Sequence, residues 1–175
     1  ISAQGGSFIL LDGEFKSVSR AYSWTENADD STVQDLMNVF GAESYYQKTG
    51  WEPNSWLMAC KLKSLISKKQ MPENARYIAT VPDSICSQIT GKFITDRTNA
   101  QITGLCDFRN SDWDINILSW VGVDESFLPQ ISNRLSILCE NVKTQWGTIN
   151  FVTSSHDQYA AMQAAGLVPE KNVML

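Results

Sequence analysis

A strand-like run near the end of the chain leads directly into a polar cluster that could do chemistry. The stretch TINFVTSSHDQ ends in His156, Asp157 and Gln158, and an alanine-rich segment of helical composition follows at once. Asp157 therefore stands where a strand ends and a helix begins, and the helix dipole there favours a charged carboxylate. Such a carboxylate can take a proton from a substrate hydroxyl as a general base. Aspartate is also a frequent N-cap, and both roles are compatible.

Composition limits the class of protein to which this carboxylate belongs. The chain has 175 residues, of which 43% are hydrophobic and 19% charged, and its formal net charge is -5. These values predict one globular domain with a core of its own. An acidic chain without clustered Lys and Arg is a poor partner for nucleic acid or an anionic membrane, and no apolar run reaches the roughly 20 residues that span a bilayer. We therefore expect neither nucleic acid nor membrane as a partner.

Two residue types predict a cytoplasmic protein without a resident metal. The four cysteines, Cys60, Cys86, Cys106 and Cys139, are widely and irregularly spaced, which fits no zinc pattern and favours free buried thiols in a reducing compartment. His156 is the only histidine, and we expect it to have a hydrogen-bonded structural role. The lysines at positions 61, 63, 68 and 69 are spaced as on the solvated side of a helix.

The elements that must position Asp157 are predicted to be those of an α/β domain with more helix than strand. Patterning predicts strands at SFILLD, ARYIATV and TINFVTSS, the last of them buried, and an Asp-Gly turn after the first. Helices are predicted at VQDLMNVF, Asn54–Lys69, Pro82–Ile89, DINILSWVG (capped by aspartate), Asn133–Gln145 and after Asp157.

The centre of the chain carries an ordered series of short motifs. They are Asp83, Ile89-Thr90-Gly91, Thr95-Asp96, Asn99-Ala100, Thr103-Gly104-Leu105-Cys106-Asp107 and Asp112-Trp113. In this order they resemble the FGGY family of carbohydrate kinases, which includes glycerol kinase and xylulokinase. QGGSFILLD and SWTEN upstream, and HDQYAAMQAAGLV downstream, resemble further segments of the same family, so the resemblance covers nearly the whole chain.

The resemblance implies a fold, a reaction and a place in a larger protein. The fold would be part of a ribonuclease-H-like (actin-like ATPase) domain, helix-rich with a small mixed sheet. Residues 1–175 would be the later half of the N-terminal sugar-binding domain, without the first phosphate-loop strands and the C-terminal domain. The full-length protein would use ATP and Mg²⁺ to phosphorylate a sugar or polyol, whereas we expect neither cofactor to bind this segment alone.

Six residues are candidates for the site on the strength of the resemblance. Asp157 would be the general base. The candidates for substrate contacts are Gln4, Trp24, Glu26, Trp56 and Gln158. Core packing remains an alternative for the two tryptophans, and a solvated position remains one for Glu26 and Gln158.

Several departures from the family pattern leave other readings open. Gly5-Gly6 stands where xylulokinases have Met-His, and Ala28 stands where many relatives have arginine. The segment between Pro129 and His156 is shorter than usual and is predicted to lack a hairpin. A non-catalytic sugar- or partner-binding relative of the same fold, or an unrelated structural α/β domain, would also fit. Because the strands at FILLD and INFVTSS are strongly apolar, we expect exposed sheet surface and a possible homodimer.

Overall fold

Helices and short strands alternate along the chain. The structure, a computed structural model, describes residues 2–132, 136–145, 147–153 and 155–167. The helices are α1 (Asp30–Phe40), α2 (Ala42–Thr49), α3 (Met58–Ser67), α4 (Val81–Thr90), α5 (Arg97–Gln101), α6 (Ile115–Val121) and α7 (Asp157–Ala164), with a 3-10 turn at Glu125–Phe127. The strands are β1 (Ser2–Ala3), β2 (Phe8–Leu11), β3 (Tyr77–Thr80), β4 (Ile94–Asp96), β5 (Cys106–Asp107), β6 (Asp112–Trp113), β7 (Gln130–Ser132), β8 (Ile137–Thr144), β9 (Gly147–Val152) and β10 (Ser155–His156).

The core lies between the β2–β3 pair and the helices packed on it. β2 and β3 are antiparallel, with Phe8 opposite Thr80 and Leu11 opposite Tyr77. Helix α3 contacts both α1 and α6. Fully buried apolar side chains from these elements meet in one cluster, which includes Phe8, Leu10, Leu36, Leu57, Leu62, Ile78, Ile117 and Leu118. The predicted strand FILL is therefore covered by the chain's own helices.

Two short parallel pairings bring distant segments to one end of this core. β1 pairs with β10, so that Ala3 lies opposite His156. β4 pairs with β7, from Ile94 opposite Gln130 to Asp96 opposite Ser132. Parallel neighbours require long crossover connections, and here those connections carry most of the helices.

Aspartates cap two of the helices, α6 as predicted and α5 without a prediction. Asp114 accepts hydrogen bonds from the N–H groups of Asn116 (3.0 Å) and Ile117 (2.9 Å), which confirms the predicted cap of α6. Asp96 accepts from the N–H groups of Thr98 (2.7 Å) and Asn99 (3.2 Å) at the start of α5. These carboxylates satisfy backbone donors that have no partner within the helix.

The segment before Asp157 differs from its prediction. The helix predicted over Asn133–Gln145 is wrong for Ile137–Thr144, which forms β8 and pairs with β9 in an antiparallel hairpin; residues 133–135 lie outside the described residues. The expected lack of a hairpin is therefore also wrong. Asn141 has a left-handed φ of 57° and lies where the pairing register shifts. A bulge of this kind interrupts the two-residue alternation of a strand, which leaves an apolar spacing that resembles a helix.

Burial corrects two further expectations. The strand predicted to be buried at TINFVTSS is largely exposed over β9. Lys61, predicted on a solvated helix face, is only 4% exposed. The four cysteines are free, as predicted, and Cys139 is the one of them that is only partly buried. Within the described ranges, no helix has the length and apolar character needed to cross a membrane.

Candidate functional site

A cavity of about 560 Å³ opens where the loop after β1 meets the start of α7. Five parts of the chain form its wall: this loop, the segment after Tyr22, two tryptophans before α3, Ile102 after α5, and the β10–α7 junction. The described lining residues are Gln4, Gly5, Gly6, Trp24, Thr25, Asn27, Trp51, Trp56, Ile102, His156, Asp157 and Gln158. Five of the six predicted site residues, Gln4, Trp24, Trp56, Asp157 and Gln158, thus lie around one cavity.

Glu26, the sixth predicted residue, has a different environment. Both of its carboxylate oxygens accept hydrogen bonds from Arg20, at 2.6 and 2.7 Å. The hydrogen bonds from Arg20 are the main cause that lowers the pKa of Glu26 to about 2, and a bond from the Ser23 N–H adds to the effect. Glu26 therefore holds the shape of the segment that carries Trp24, and the structure does not bring it to the cavity wall.

Two glycines allow the loop after β1 to pass close to the β10–α7 junction. A Cβ atom on Gly5 would lie 2.7 Å from Nε2 of His156, too close for any real contact. Gly6 has a φ of +80°, and a Cβ there would lie 3.1 Å from the Cβ of Trp24. A side chain at either position would force the loop away from its neighbours. The Gly5-Gly6 pair, which departs from the xylulokinase pattern, is thus matched to the residues around it.

Lys61, which is not itself a lining residue, connects two parts of the cavity wall. Its Nζ donates to the carbonyl oxygens of Ser23 (2.8 Å) and Gly6 (3.3 Å). Burial lowers the pKa of this ammonium to about 8, and the nearby charge of Glu26 partly offsets the effect. Trp24 N–H also donates to Ser7 Oγ at 3.0 Å, so the two loops are joined by three hydrogen bonds.

Three tryptophans give the cavity an aromatic lining. Trp51 and Trp56 meet edge to face with ring centroids 5.3 Å apart, and Trp51 Nε1 donates to Gln101 O at 2.8 Å. Trp24 is 43% exposed. Gln4, Asn27 and Gln158 add amide groups to the lining. Apolar faces with a few directed polar groups are typical of sites for small organic ligands.

Asp157 is the first residue of α7, and the N-cap position belongs to His156. Asp157 Oδ1 accepts the N–H of Gln158 at 2.8 Å and lies 3.4 Å from Nε2 of His156. The Asp157 side chain is 45% exposed, whereas that of His156 is only 6% exposed. The carboxylate therefore faces the cavity opening while one of its oxygens is held at the helix start.

His156 is positioned through both its backbone and its ring. Its N–H donates to Thr98 Oγ1 at 2.8 Å, and its ring meets Tyr159 edge to face at 6.0 Å. His156 lines both the main cavity and a neighbouring one of about 340 Å³, whose described lining includes Thr98, Phe108, Tyr159 and Met162. The backbone of His156 is hydrogen-bonded as a structural role requires, whereas its buried ring Nδ1 has no hydrogen-bond partner among the described residues.

Ionisable side chains are few in the described lining of this cavity. Among them, no group of three or more His, Cys, Asp or Glu side chains could hold a metal ion. Asp157 is the one carboxylate among the described lining residues of the main cavity, and nothing in the sequence has the composition of a phosphate-binding glycine loop. We therefore assign none of these residues to the nucleotide or its metal ion.

Sequence reasoning missed several lining residues, and some of them carried a signal. Thr25 and Asn27 belong to the SWTEN segment that was singled out for its tryptophan. Trp51 follows Gly50 in a break between helices, and binding residues are disproportionately frequent in such connecting segments. Ile102 carries no such signal, because an isoleucine after a short helix is more often part of a core.

Comparison with known proteins finds a matching family model and several solved relatives of this chain. Residues 1–163 match the model of the N-terminal domain of the FGGY family of carbohydrate kinases. Among solved structures, gluconate kinase from Lactobacillus acidophilus is 26% identical, with a TM-score of 0.79 over 90% of this chain and 34% of its own. Xylulose kinase from the same organism is 24% identical, with a TM-score of 0.84 over 95% of this chain and 36% of its own.

A third solved relative is Plasmodium falciparum glycerol kinase with ADP. It is 23% identical, with a TM-score of 0.80 over 93% of this chain and 34% of its own. This chain thus spans about a third of the length of these relatives. The likeness confirms the predicted fold class, a helix-rich α/β part of an actin-like ATPase domain.

Proposed function

Because the chain belongs to the FGGY family of carbohydrate kinases, we propose that it is the later half of the N-terminal, sugar-binding domain of an ATP-dependent kinase. The full-length protein would transfer the γ-phosphate of ATP to a hydroxyl group of a sugar or polyol. One observation carries this proposal: Asp157 lies on the wall of the same cavity as the aromatic and amide side chains that could hold a sugar.

The substrate would lie against the tryptophans with its hydroxyl groups directed at the amides. Trp24, Trp51 and Trp56 offer apolar surface for the C–H faces of a sugar. Gln4 and Gln158, both exposed at the cavity, can each donate and accept a hydrogen bond. This combination can orient a polyhydroxylated molecule that carries no charge. Orientation is a large part of what an enzyme contributes to a two-substrate reaction.

Asp157 would take the proton from the attacking hydroxyl. Its Oδ1 already accepts the N–H of Gln158, so Oδ2 is the atom to which we assign the proton. A positioned carboxylate of this kind raises the rate by on the order of 10²–10⁴. ATP with Mg²⁺ would supply the phosphoryl group and neutralise its charge, and both would be held by parts of the protein outside the described residues.

The exchange of Asp157 for asparagine in the full-length protein tests the proposal. We expect Asp157→Asn to lower kcat by on the order of 10²–10⁴, while sugar affinity, followed by tryptophan fluorescence, stays close to that of the parent. The control is Asp30→Asn, since Asp30 is likewise the first residue of a helix but lies outside the cavity lining. An Asp157→Asn protein that turns over within a few-fold of the parent would exclude the proposed base.

A full-length parent protein that binds sugars but shows no phosphoryl transfer would support the other reading instead. The chain would then belong to a binding relative that has lost the reaction. Titration of the unsubstituted protein with xylulose, gluconate and glycerol, each with and without ATP, separates the two readings. The three compounds are chosen because solved relatives of this chain are kinases named after them.

A further inference from the structure

Thr98 connects the N-terminus of α5 to the strand that ends at Asp157. Its hydroxyl oxygen accepts the N–H of His156 at 2.8 Å, and the same hydroxyl donates to Oδ1 of Asp96. The two residues joined by the first bond are 58 positions apart in the chain. A single hydroxyl therefore bonds two elements that are otherwise far apart in sequence.

Asp96 orients the Thr98 hydroxyl. Its side chain is buried, with 7% exposed, and it lies at the end of β4, which pairs with β7. The same carboxylate accepts the N–H groups of Thr98 and Asn99 at the start of α5. The Thr98 hydroxyl is thus oriented by a buried charged group, and charge-assisted hydrogen bonds of this kind are stronger than neutral ones.

The bond reaches the backbone directly beside the proposed base. His156 is the N-cap of α7 and Asp157 is its first residue. The position of the His156 backbone amide therefore determines the position of the Asp157 carboxylate. The β1–β10 ladder that also holds this point has only two residue pairs. One further hydrogen bond is therefore a substantial part of what fixes the junction.

We propose that Thr98 is a positioning residue that holds Asp157 in register with the substrate through the backbone of His156. This inference rests on the proposed function, in which Asp157 is the general base. Misplacement of a reacting group by about 1 Å can lower a rate by on the order of 10². Loss of the Thr98 hydroxyl should therefore lower the rate of the chemical step while leaving the sugar-binding surface in place.

Substitutions at Thr98 in the full-length kinase test this role. Thr98→Val keeps the side-chain shape and removes both hydrogen bonds; we expect kcat to fall by roughly 10- to 100-fold, with sugar KM within about threefold of the parent. Thr98→Ser restores the hydroxyl and should recover most of the lost kcat. The matched control is Thr90→Val, because the described hydrogen bonds of the Thr90 hydroxyl are local to the end of α4: it donates to Cys86 O at 2.7 Å and accepts the N–H of Lys92 at 3.2 Å.

Thr98→Cys keeps the test decisive if the valine variant does not fold. A thiol is a weaker donor and acceptor than a hydroxyl, so its kcat should lie below that of the serine variant. Equal kcat for serine and cysteine, a valine variant at parental kcat, or a fall in kcat matched by an equal loss of sugar affinity would each overturn the positioning role. Failure of the proposed function is distinct from these, since it would appear as an active Asp157→Asn protein.

Discussion

Lys61 is the residue whose environment departs furthest from its residue type. Lysine is rarely buried without a charged partner, yet this one is 4% exposed and donates to two loop carbonyl groups. The two loops carry Gly6 and Trp24, both on the cavity wall. The lysine therefore supports the proposed sugar site without touching a sugar.

We expect Lys61→Met to affect substrate binding more than the chemical step. Methionine fills a similar volume but donates no hydrogen bond, so the Gly6 and Ser23 carbonyl groups lose their shared partner. In the full-length protein, sugar KM should rise about 10-fold, while kcat changes less than about threefold, because each lost hydrogen bond is worth about 1 kcal/mol. Steady-state kinetics measure both constants. Lys92→Met, at an exposed lysine, is the control, and a variant with parental KM would contradict the role.

Sequence alone makes Asp157 a candidate but not Lys61, for a physical reason. A carboxylate between a strand and a helix is visible in the order of residues along the chain. The partners of Lys61 are 55 and 38 positions away, and helical spacing alone predicts Lys61 on the solvated side of the helix. Only the tertiary fold brings the loop carbonyl groups to this ammonium. The same applies to Thr98, whose bond to His156 spans 58 positions.

Among the elements, α4 has a buried carboxyl group in its first turn. Asp83 is 3% exposed and accepts a hydrogen bond from the Thr80 hydroxyl at 2.6 Å. Burial raises the pKa of Asp83 to about 7, and the nearby charge of Asp96 also raises it, while hydrogen bonds from threonines oppose the shift. In the unfolded chain the pKa returns to about 3.9.

This shift predicts that stability falls as the pH rises from about 4 to about 7. Over that window the folded state holds the Asp83 proton and the unfolded state has released it, so the free energy of unfolding decreases with pH. At about 1.4 kcal/mol per pKa unit, the loss is at most on the order of 4 kcal/mol. Asp83→Asn should flatten the slope and be more stable than the parent at pH 8.

Urea denaturation at pH 5 and pH 8 measures the effect of Asp83. Asp30→Asn, at an exposed aspartate, should keep the parental slope. The lowered pKa of Glu26 acts in the opposite direction but only below about pH 4.5, which is below both pH values of this measurement. An Asp83→Asn protein with an unchanged pH dependence would show that another group is responsible.

The β8–β9 hairpin shows where element prediction fails. Leu138, Cys139 and Val142 are spaced as on one side of a helix, and this pattern predicted one. The left-handed Asn141 lies where the strand pairing shifts beside them. The apolar residues therefore do not follow the strict two-residue alternation of a regular strand. In contrast, α3, α4 and α6 were predictable because their apolar spacing and their terminal Pro, Asp or Gly residues agree.

At the scale of the molecule, the chain buries one of the two apolar strands that were expected to leave sheet surface exposed, and it exposes the other. Phe8, Leu10 and Leu11 have no exposed surface; Phe8 and Leu10 belong to the core cluster together with residues of α3, and α4 contacts β2. In the hairpin, Ile137 is 55%, Ile149 41% and Val152 38% exposed. Ile137 and Val152 lie directly opposite each other across the ladder, so their exposed surfaces are adjacent.

We therefore expect this chain, on its own, to associate through the hairpin in a concentration-dependent manner. Within the described residues the hairpin is a two-stranded ladder, and burial of its apolar side chains against another copy would contribute roughly 25 cal/mol per Å². Sedimentation velocity over a dilution series measures the association. Ile149→Lys should weaken it by about 10-fold, whereas Thr148→Lys, at the adjacent exposed position on β9, should weaken it less because a polar side chain is replaced. A monomer at every concentration, with no binding of a dye specific for apolar surface, would show that the exposed hairpin does not mediate association.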